Sequence, residues 1–586
     1  MRQWMVAAKK ADFYAIAEKF HVDPVVARII RNREVIGEKN IRIYLGGNLS
    51  DLSDPHQMKD MDRLVEILAQ KIRKQVHIRI IGDYDVDGVT SSHLFLTALR
   101  RVGAKVDVVI PHRIQDGYGL SLHLLQQAKE DGVDTILTCD NGIAAIDEIA
   151  WAKAQKMTVL VTDHHAVPFE EHEGRRTEKK SLADAVVNPH QQDCGYPYKE
   201  LCGAGVAWNV IRVLYENYDM DKREAEDLLD FVAMATVCDV MSLTGENRIL
   251  VKEGLKRIRH TKNIGLQALM QACNVQPENI SAYHFGYVLG PCVNATGRLD
   301  TARHALRLFE TGQETEAEEI ARDLVDLNQE RKEFTLQGVE MAKKLCEEGG
   351  YENDPVLVLF LPDVHESIAG LIAGRIREMY NRPVFVLTRG EEEVKGSGRS
   401  TENYSMYENM CGCAELFTKF GGHPMAAGLS LPEENVEKFR RKINENCPLT
   451  VEEVCPDIHI DMAMPVGYAS TELVHQFALL EPFGKDNPSP LFADRNLSIS
   501  RMWVIGKNRN VLRMSVLSEY GQPVPVIFFG DVETLFAYFT EKFGQEEVEN
   551  ALHGRKNRIL FSMVYTAKID FYQGNENLQL EMKYYR

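Results

Sequence analysis

Two hydrophobic periodicities alternate along this chain. Residues 1–75 carry apolar positions at helical spacing, as in DPVVARIIRNR (23–33). Short apolar runs follow: VHIRIIG (76–82), KVDVVIP (105–111), DTILTCD (134–140) and TVLVTD (158–163). Each of the first three leads through a loop into an amphipathic stretch, which predicts a parallel sheet with helices on both faces. Helices dominate from about 203 to 347, including one predicted over 222–238. The segment 314–347 lacks Pro and keeps Ile320, Leu324, Leu327, Phe334, Met341 and Leu345 in helical register. It predicts a long helix joining two domains. A second α/β unit follows, with strand PVLVLF (355–360), a helix over 366–380, strand PVFVLT (383–388) and Gly-rich turns to about 430. After PLTVEEVCPD (448–457), the runs WVIGKNRNVLRMSVL, PVPVIFFG and RILFSMVYTAKIDF predict a small β-barrel.

Composition narrows the class. A chain of 586 residues implies three or four domains. With 44% hydrophobic and 26% charged residues, disorder is excluded as the dominant state. No run approaches a membrane span, and MRQWMVAAKKADFY lacks a signal-peptide core, so a soluble cytoplasmic protein is expected. Eleven Cys without a CxxC pair argue against a disulfide framework or a thiolate zinc site; Cys411 and Cys413 are too close for one. The net charge of −18 opposes a loose, charge-driven grip on nucleic acid. It leaves room for a local basic channel, because exposed charges are screened within about 8–10 Å.

The candidate chemistry lies at strand ends. GDYDVDG (82–88) places Asp83, Asp85 and Asp87 where a predicted strand meets a helix. Asp140 ends another strand; Asp163 ends a third and precedes His164 and His165. Asp239, at the end of the predicted helix 222–238, is a further candidate. Ligands of open α/β sheets bind beyond the carboxyl ends of the strands. Carboxylates gathered there repel one another unless cations sit between them. Oxygen ligands with imidazole suit Mn²⁺ or Mg²⁺, and two such ions can activate water and stabilise a leaving oxygen. A Ca²⁺ loop is a poor match, since Leu94 stands where its bidentate Glu belongs. One acidic loop alone reads as a solvated turn, whereas three clusters at strand ends do not. Phosphate-gripping candidates are KGSGRS (395–400), FGGHPMAAG (420–428), Arg113 before DGYGL, and Arg298 in NATGRLD. Each by itself also reads as a turn or a surface charge. His365 and Arg375 in HESIAGLIAGR read equally as capping or core positions.

Taken in order, GDYDVDGVTSS, DGYGLS, CDNGI, TDHH, VNPHQQDCGYP, CGAGVAW, ATVCDV, LGPCVNATGRLD, LNQERK, KGSGRS and FGGHPMAAG resemble the DHH phosphoesterase superfamily. ARIIRNR (27–33), LSDPHQMKDMDRLVE (52–66) and LEPFGKDNPSPLF (480–492) extend the likeness toward its bacterial single-strand-specific 5′→3′ DNA exonucleases, which act in repair and recombination. The resemblance implies an N-terminal helical segment (1–50), a DHH catalytic domain (51–312), a connecting helix (313–348), a smaller α/β DHHA1 domain (349–450) and an OB-like nucleic-acid-binding β-barrel (455–586).

By motif match, Asp85 and Asp140 hold one ion; Asp87, Asp140, His164 and Asp239 hold the second. Asp83 is an extra ligand or an orienting group. His165 faces the scissile phosphate, and Asp163 fixes an imidazole. Arg113, Ser397 and Arg399 match groups that grip a terminal 5′ phosphate; Arg298 and His423 match contacts to the backbone and reacting nucleotide. The implied partners are single-stranded DNA, a single-strand-binding protein and a RecQ-type helicase, with the chain a monomer. There are departures: Thr296 replaces a small apolar residue, HESIAG is a loose match, and Ile81 stands where many relatives carry His. Two rivals remain. One is an oligoribonucleotide or cyclic-dinucleotide phosphodiesterase of the same superfamily, which usually lacks a third domain. The other is a repair scaffold with a dead centre, which is expected to have lost carboxylates that are all present here.

Overall fold

The computed structural model describes residues 3–112, 119–172, 175–299, 301–351, 353–454, 457–506, 509–572 and 574–586. The chain divides into two compact units, Leu49–Pro456 and Gln3–Asn48 together with Asp457–Arg586.

The first unit opens on a five-stranded sheet. Its elements are β1 (Ile78–Ile81), α1 (Val86–Arg101), β2 (Val106–Val109), β3 (Thr135–Cys139), β4 (Thr158–Thr162) and β5 (Ala185–Val187). The order is β2-β1-β3-β4-β5 and every pairing is parallel. The four apolar runs form β1 to β4; β5, three residues long, carries too short a pattern to stand out. Residues alternate between faces along each strand. Ile78 and Ile80 pack with Val89, Phe95 and Leu99 of α1, while Ile81, Ile136, Val159 and Val161 pack with Leu124, Leu125 and Ile149 on the other side. Both faces are therefore covered, which is why these strands read as unbroken apolar runs. Strand order reverses between β1 and β3, so a crevice opens beyond their carboxyl ends.

Helices α2 (Gly203–Asn217), α3 (Leu229–Cys238) and α4 (Gly290–Leu299) complete this layer. The helix expected over 222–238 is instead two, Lys222–Glu226 and α3. Ala225, Leu228 and Leu229 are all buried at the junction. The predicted joining helix is α5 (Glu314–Glu348). Its first half adds Ala317, Ile320 and Leu324 to the first core, and its second half adds Val339, Ala342 and Cys346 to the next.

The second α/β domain contains β6 (Leu357–Phe360), α6 (Glu366–Tyr380), β7 (Val384–Arg389), β8 (Val394–Arg399), β9 (Lys419–His423) and β10 (Ala426–Leu431). Its order is β9-β10-β8-β7-β6, with only β6 and β7 parallel. KGSGRS and FGGHPMAAG, read above as Gly-rich turns, lie mainly within strands. The glycines are there for packing: a Cβ on Gly398 would stand 2.6 Å from Met406 Sδ and 2.7 Å from Phe385 Cε1.

The second unit joins the two ends of the chain. Strands Phe492–Ile505, Val511–Leu517, Pro523–Phe529, Asn575–Tyr585 and Leu560–Tyr572 pair in that order, and the last returns to the first. The closed ring leaves no open edge between these strands. Helices Val532–Phe543 and Gln545–Leu552 interrupt the predicted all-β run; Asp531 caps the first by accepting the Thr534 N–H at 3.0 Å. Trp4–Val6 pairs in parallel with Ile458–Ile460. Helix Pro24–Asn32 starts on an Asp23 cap with Pro at its first position, and buries Val25, Val26, Ile29 and Ile30 in the same core as Phe492, Met514 and Phe561.

Two motifs of the resemblance explain the joint. Arg33 makes a paired contact to Asp461 at 2.7 and 3.1 Å and donates to the Pro488 carbonyl. Buried Asn487 donates to the Leu480 and Pro482 carbonyls and accepts from the Tyr44 hydroxyl at 2.7 Å. Both ion-pair side chains are under a tenth exposed. Asp461→Ala leaves Arg33 charged and buried, and should cost about 3–5 kcal/mol. Hydrogen exchange should show the amides of Pro24–Asn32 opening faster in this variant; unchanged protection would place the joint elsewhere.

Candidate metal centre

The crevice between β1 and β3 collects the acids. Asp83 lies two residues past β1. Asp85 caps α1, its Oδ1 accepting the Gly88 N–H at 3.0 Å. Asp87 lies in the first turn of α1 and accepts the N–H groups of Gly203 and Ala204 at 2.6 and 2.8 Å. Those donors open α2, so a helix N-terminus stabilises the carboxylate. Asp140 follows β3 with φ of +62°, a left-handed turn that Asp tolerates better than most residues. Asp239 caps the end of α3.

His164, just past β4, points its Nε2 into the centre. It lies 3.1 Å from Asp140 Oδ1, 3.6 Å from Asp239 Oδ2 and 3.7 Å from Asp87 Oδ2. Three ligand sets result, each with its donor atoms within 4.8 Å of one another: Asp83, Asp85 and Asp140; Asp87, His164 and Asp239; and Asp140, His164 and His165. Asp140 occurs in two of them. All six expected metal ligands, together with His165, therefore converge.

The electrostatics call for cations. Burial and then neighbouring carboxylates push Asp83, Asp85 and Asp140 above the usual carboxylate range. Asp83 Oδ1 and Oδ2 and His164 Nε2 are buried and lack a well-formed hydrogen bond among the described residues. Such atoms are costly unless something satisfies them, and a pair of divalent ions does so. The donors are carboxylate oxygen and imidazole nitrogen. Burial drives the thiols of Cys139, Cys202 and Cys238 upward, Cys139 to about 12, and none of the three ligand sets includes a sulfur. The donor set thus fits Mn²⁺ or Mg²⁺ rather than a thiolate-bound metal.

His165 stands apart in character. Its Nδ1 lies 2.8 Å from Asp163 Oδ1 and its ring 4.4 Å from that of His164. Burial alone depresses the imidazole, but the bond to Asp163 and the surrounding carboxylates outweigh it and hold the group up at about 9. Asp163 also accepts the N–H groups of Ile143, His164 and His165, so it fixes the loop and the ring.

The phosphate candidates divide. Arg298 lies in the last turn of α4 rather than in a loop, and its Nη1 donates to the Ser367 carbonyl at 2.6 Å, at the start of α6. Arg399 lies against the same helix, since a Cβ on Gly370 would stand 2.8 Å from its Nη2. Arg399 and His423 both pair in register with Ala426, and Ser397 pairs with Gly428. Arg113 lies outside the described residues. His365 caps α6, and exposed Arg375 pairs with Glu378 at 3.2 Å. The Thr296 departure is harmless, its hydroxyl donating to the Val293 carbonyl at 2.7 Å.

Several positions escaped sequence reasoning. Asn294 accepts the Val86 N–H at 3.2 Å and ties α4 to the acidic loop. Asn141 donates to the carbonyls of Ile81 and Cys139, bracing β1 against β3. A Cβ on Gly203 would stand 2.6 Å from Asp140 Cβ, so only glycine lets α2 approach this closely. All three sit inside quoted motifs, yet nothing local marks their partners.

Comparison with known proteins agrees with this geometry. The family model "DHH family, N-terminal domain" matches residues 77–236, "DHHA1 domain" matches 353–447 and "RecJ OB domain" matches 460–584. The single-stranded-DNA-specific exonuclease RecJ of Haemophilus influenzae is 32% identical over 582 residues, covering 96% of each chain. Its Bacillus subtilis counterpart is 32% identical over 512 residues; the match covers 87% of this chain and 63% of that longer protein, under two thirds of its length. The crystal structure of RecJ with Mn²⁺ from Thermus thermophilus superposes with a TM-score of 0.81 at 25% identity, covering 100% of this chain and 79% of that one. With three domain models matched in order and relatives aligned from end to end, the chain belongs to the RecJ family of DHH-domain exonucleases.

Proposed function

We propose that the chain hydrolyses phosphodiester bonds of single-stranded DNA from the 5′ end, releasing 5′-mononucleotides during repair and recombination. The observation that carries this reading is the buried cage of carboxylates with His164, beside which Arg298 and Arg399 meet the start of α6. Asp85 and Asp140 would hold one divalent ion, and Asp87, Asp140, His164 and Asp239 the other, with Asp140 shared. Asp83 would complete or orient the first set. When bound, such a pair lowers the pKa of water and stabilises the charge that develops on the leaving oxygen.

The chain's own groups do the rest. His165, its ring oriented by Asp163, donates to the scissile phosphate or the departing 3′ oxygen. Ser397 and Arg399, with Arg113, clamp the 5′ phosphate and set the register of cleavage. Arg298 and His423 hold the backbone beside the reacting nucleotide. The ring of strands in the second unit tracks the unpaired strand further on. Among the described residues no helix is long and apolar enough to cross a membrane. We place the protein in the cytoplasm as a monomer, working with a single-strand-binding protein and a RecQ-type helicase.

Asp140→Ala should lower kcat by roughly 10²–10³-fold or more and reduce bound Mn²⁺ measured by elemental analysis; full activity with two ions retained would defeat the ligand assignment. Gly203→Ala forces a methyl onto Asp140, and should weaken Mn²⁺ binding about 10–100-fold, read by calorimetry, while the fold persists. For pH, the imidazolium of His165 is present below its raised pKa and lost above it. Activity should therefore fall as pH rises through a value at or below about 9, since bound cations pull that pKa down. His165→Asn should be slow throughout and lack this limb. Comparing 5′-phosphate, 5′-hydroxyl and 3′-labelled single strands, with a duplex control, tests polarity and strand choice.

A further inference from the structure

We infer that the exposed pair Tyr283 and Tyr287 is a stacking platform for the unpaired bases of the strand held at the metal centre. The inference rests on the single-strand reading above and adds to it a base-binding element. The two rings stack at 5.0 Å between centroids and 23° between planes. They are 62% and 70% exposed, an unusual state for two neighbouring large aromatic side chains. Tyr287 lies within a π-helical turn, Phe285–Leu289, that runs directly into α4. Such turns are rare and are found mostly at functional sites.

Position makes the pair informative. The turn is pinned to the end of α3: Cys238 Sγ donates to the Phe285 carbonyl at 3.3 Å, and a Cβ on Gly290 would stand 2.3 Å from that sulfur. The next residue is the ligand Asp239. Within α4, Pro291, Asn294 and Arg298 follow at helical spacing on one face, the first of them four residues after Tyr287. None of the three is fully buried, whereas Cys292, Val293, Ala295 and Thr296 between them are. Asn294 touches the acidic loop through Val86, and Arg298 reaches Ser367. One ridge of α4 therefore runs from the tyrosines past the metal centre to the phosphate-gripping residues. Tyr287 stands about 10 Å along the helix from Asn294, a span of about three nucleotides at the ~3.4 Å repeat of stacked bases.

The chemistry suits the charge problem. A chain with net charge −18 gains little from a diffuse grip on a polyanion. Stacking on a neutral ring is insensitive to that charge, and it serves every base alike. Two stacked, exposed phenol rings can offer an outer π face on which a base continues the column.

The test uses the full chain and a short 5′-phosphorylated single strand with phosphorothioate linkages, so that binding is read by fluorescence anisotropy without cleavage. Tyr283→Ala and Tyr287→Ala should each raise Kd roughly ten-fold, and Tyr287→Phe should bind as the wild type does. Replacing the bases nearest the platform by abasic sites should weaken wild-type binding by a similar factor and weaken binding to Tyr287→Ala no further. Alanine variants that bind the base-bearing strand with wild-type Kd overturn the inference. So does an abasic penalty that is equal in the wild type and the variant. A wild type that binds the protected strand and leaves an ordinary strand uncut overturns the exonuclease reading alone; the Kd comparison then still decides the platform.

Discussion

Like charges do not gather in a protein interior without a reason, and the rest of the first unit is arranged around such a gathering. Desolvation and mutual repulsion raise Asp83, Asp85 and Asp140 together. The fold opposes that repulsion only in part. The N-terminus of α2 supplies two N–H donors to Asp87, and the amide of Gly88 supplies one to Asp85. What remains is a concentrated negative site that divalent cations can satisfy. Strand order explains where it forms. The reversal between β1 and β3 opens the one crevice in the sheet where residues following two separate strands can face one cavity.

The same constraint governs what must be absent. The approach of α2 leaves no room for a side chain at Gly203, and the approach of α4 leaves none at Gly297, where a Cβ would stand 2.5 Å from the Tyr84 carbonyl. Thiols lie nearby, yet the three donor sets are carboxylate and imidazole alone. One arrangement of helix ends around two strands thus positions the carboxylates, and Arg298 of α4 and Arg399 of β8 both meet α6.

Legibility follows sequence distance. The strands of the parallel sheet are readable because a strand buried on both faces must be apolar throughout, and Asp83, Asp140 and His164 are readable because each closes such a run. Helix α5 declares itself by 3–4 spacing without Pro. The glycines of β8, β9 and β10 read as turns, since glycine is normally scarce in strands; in the fold Gly398 makes room for Met406 and Phe385, and Gly396 for Leu387 and Leu429. Asn294, Asn141 and Gly203 are silent for the same reason, because each acts on a partner brought near only by the fold. The clasp of Arg33 on Asp461 spans more than four hundred residues, and nothing beside either residue announces it.

That clasp has a bearing on how the protein is made. Helices within Gln3–Asn48 bury their apolar faces on elements that begin at Asp457, so they wait for partners synthesised some four hundred residues later. At about 5–20 residues per second, the ribosome leaves Val26, Ile29 and Ile30 uncovered for roughly 20–80 s, during which the whole first unit can fold ahead of them. The apolar stripe of Val25, Val26, Ile29 and Ile30 therefore has to stay soluble without its partner for that interval.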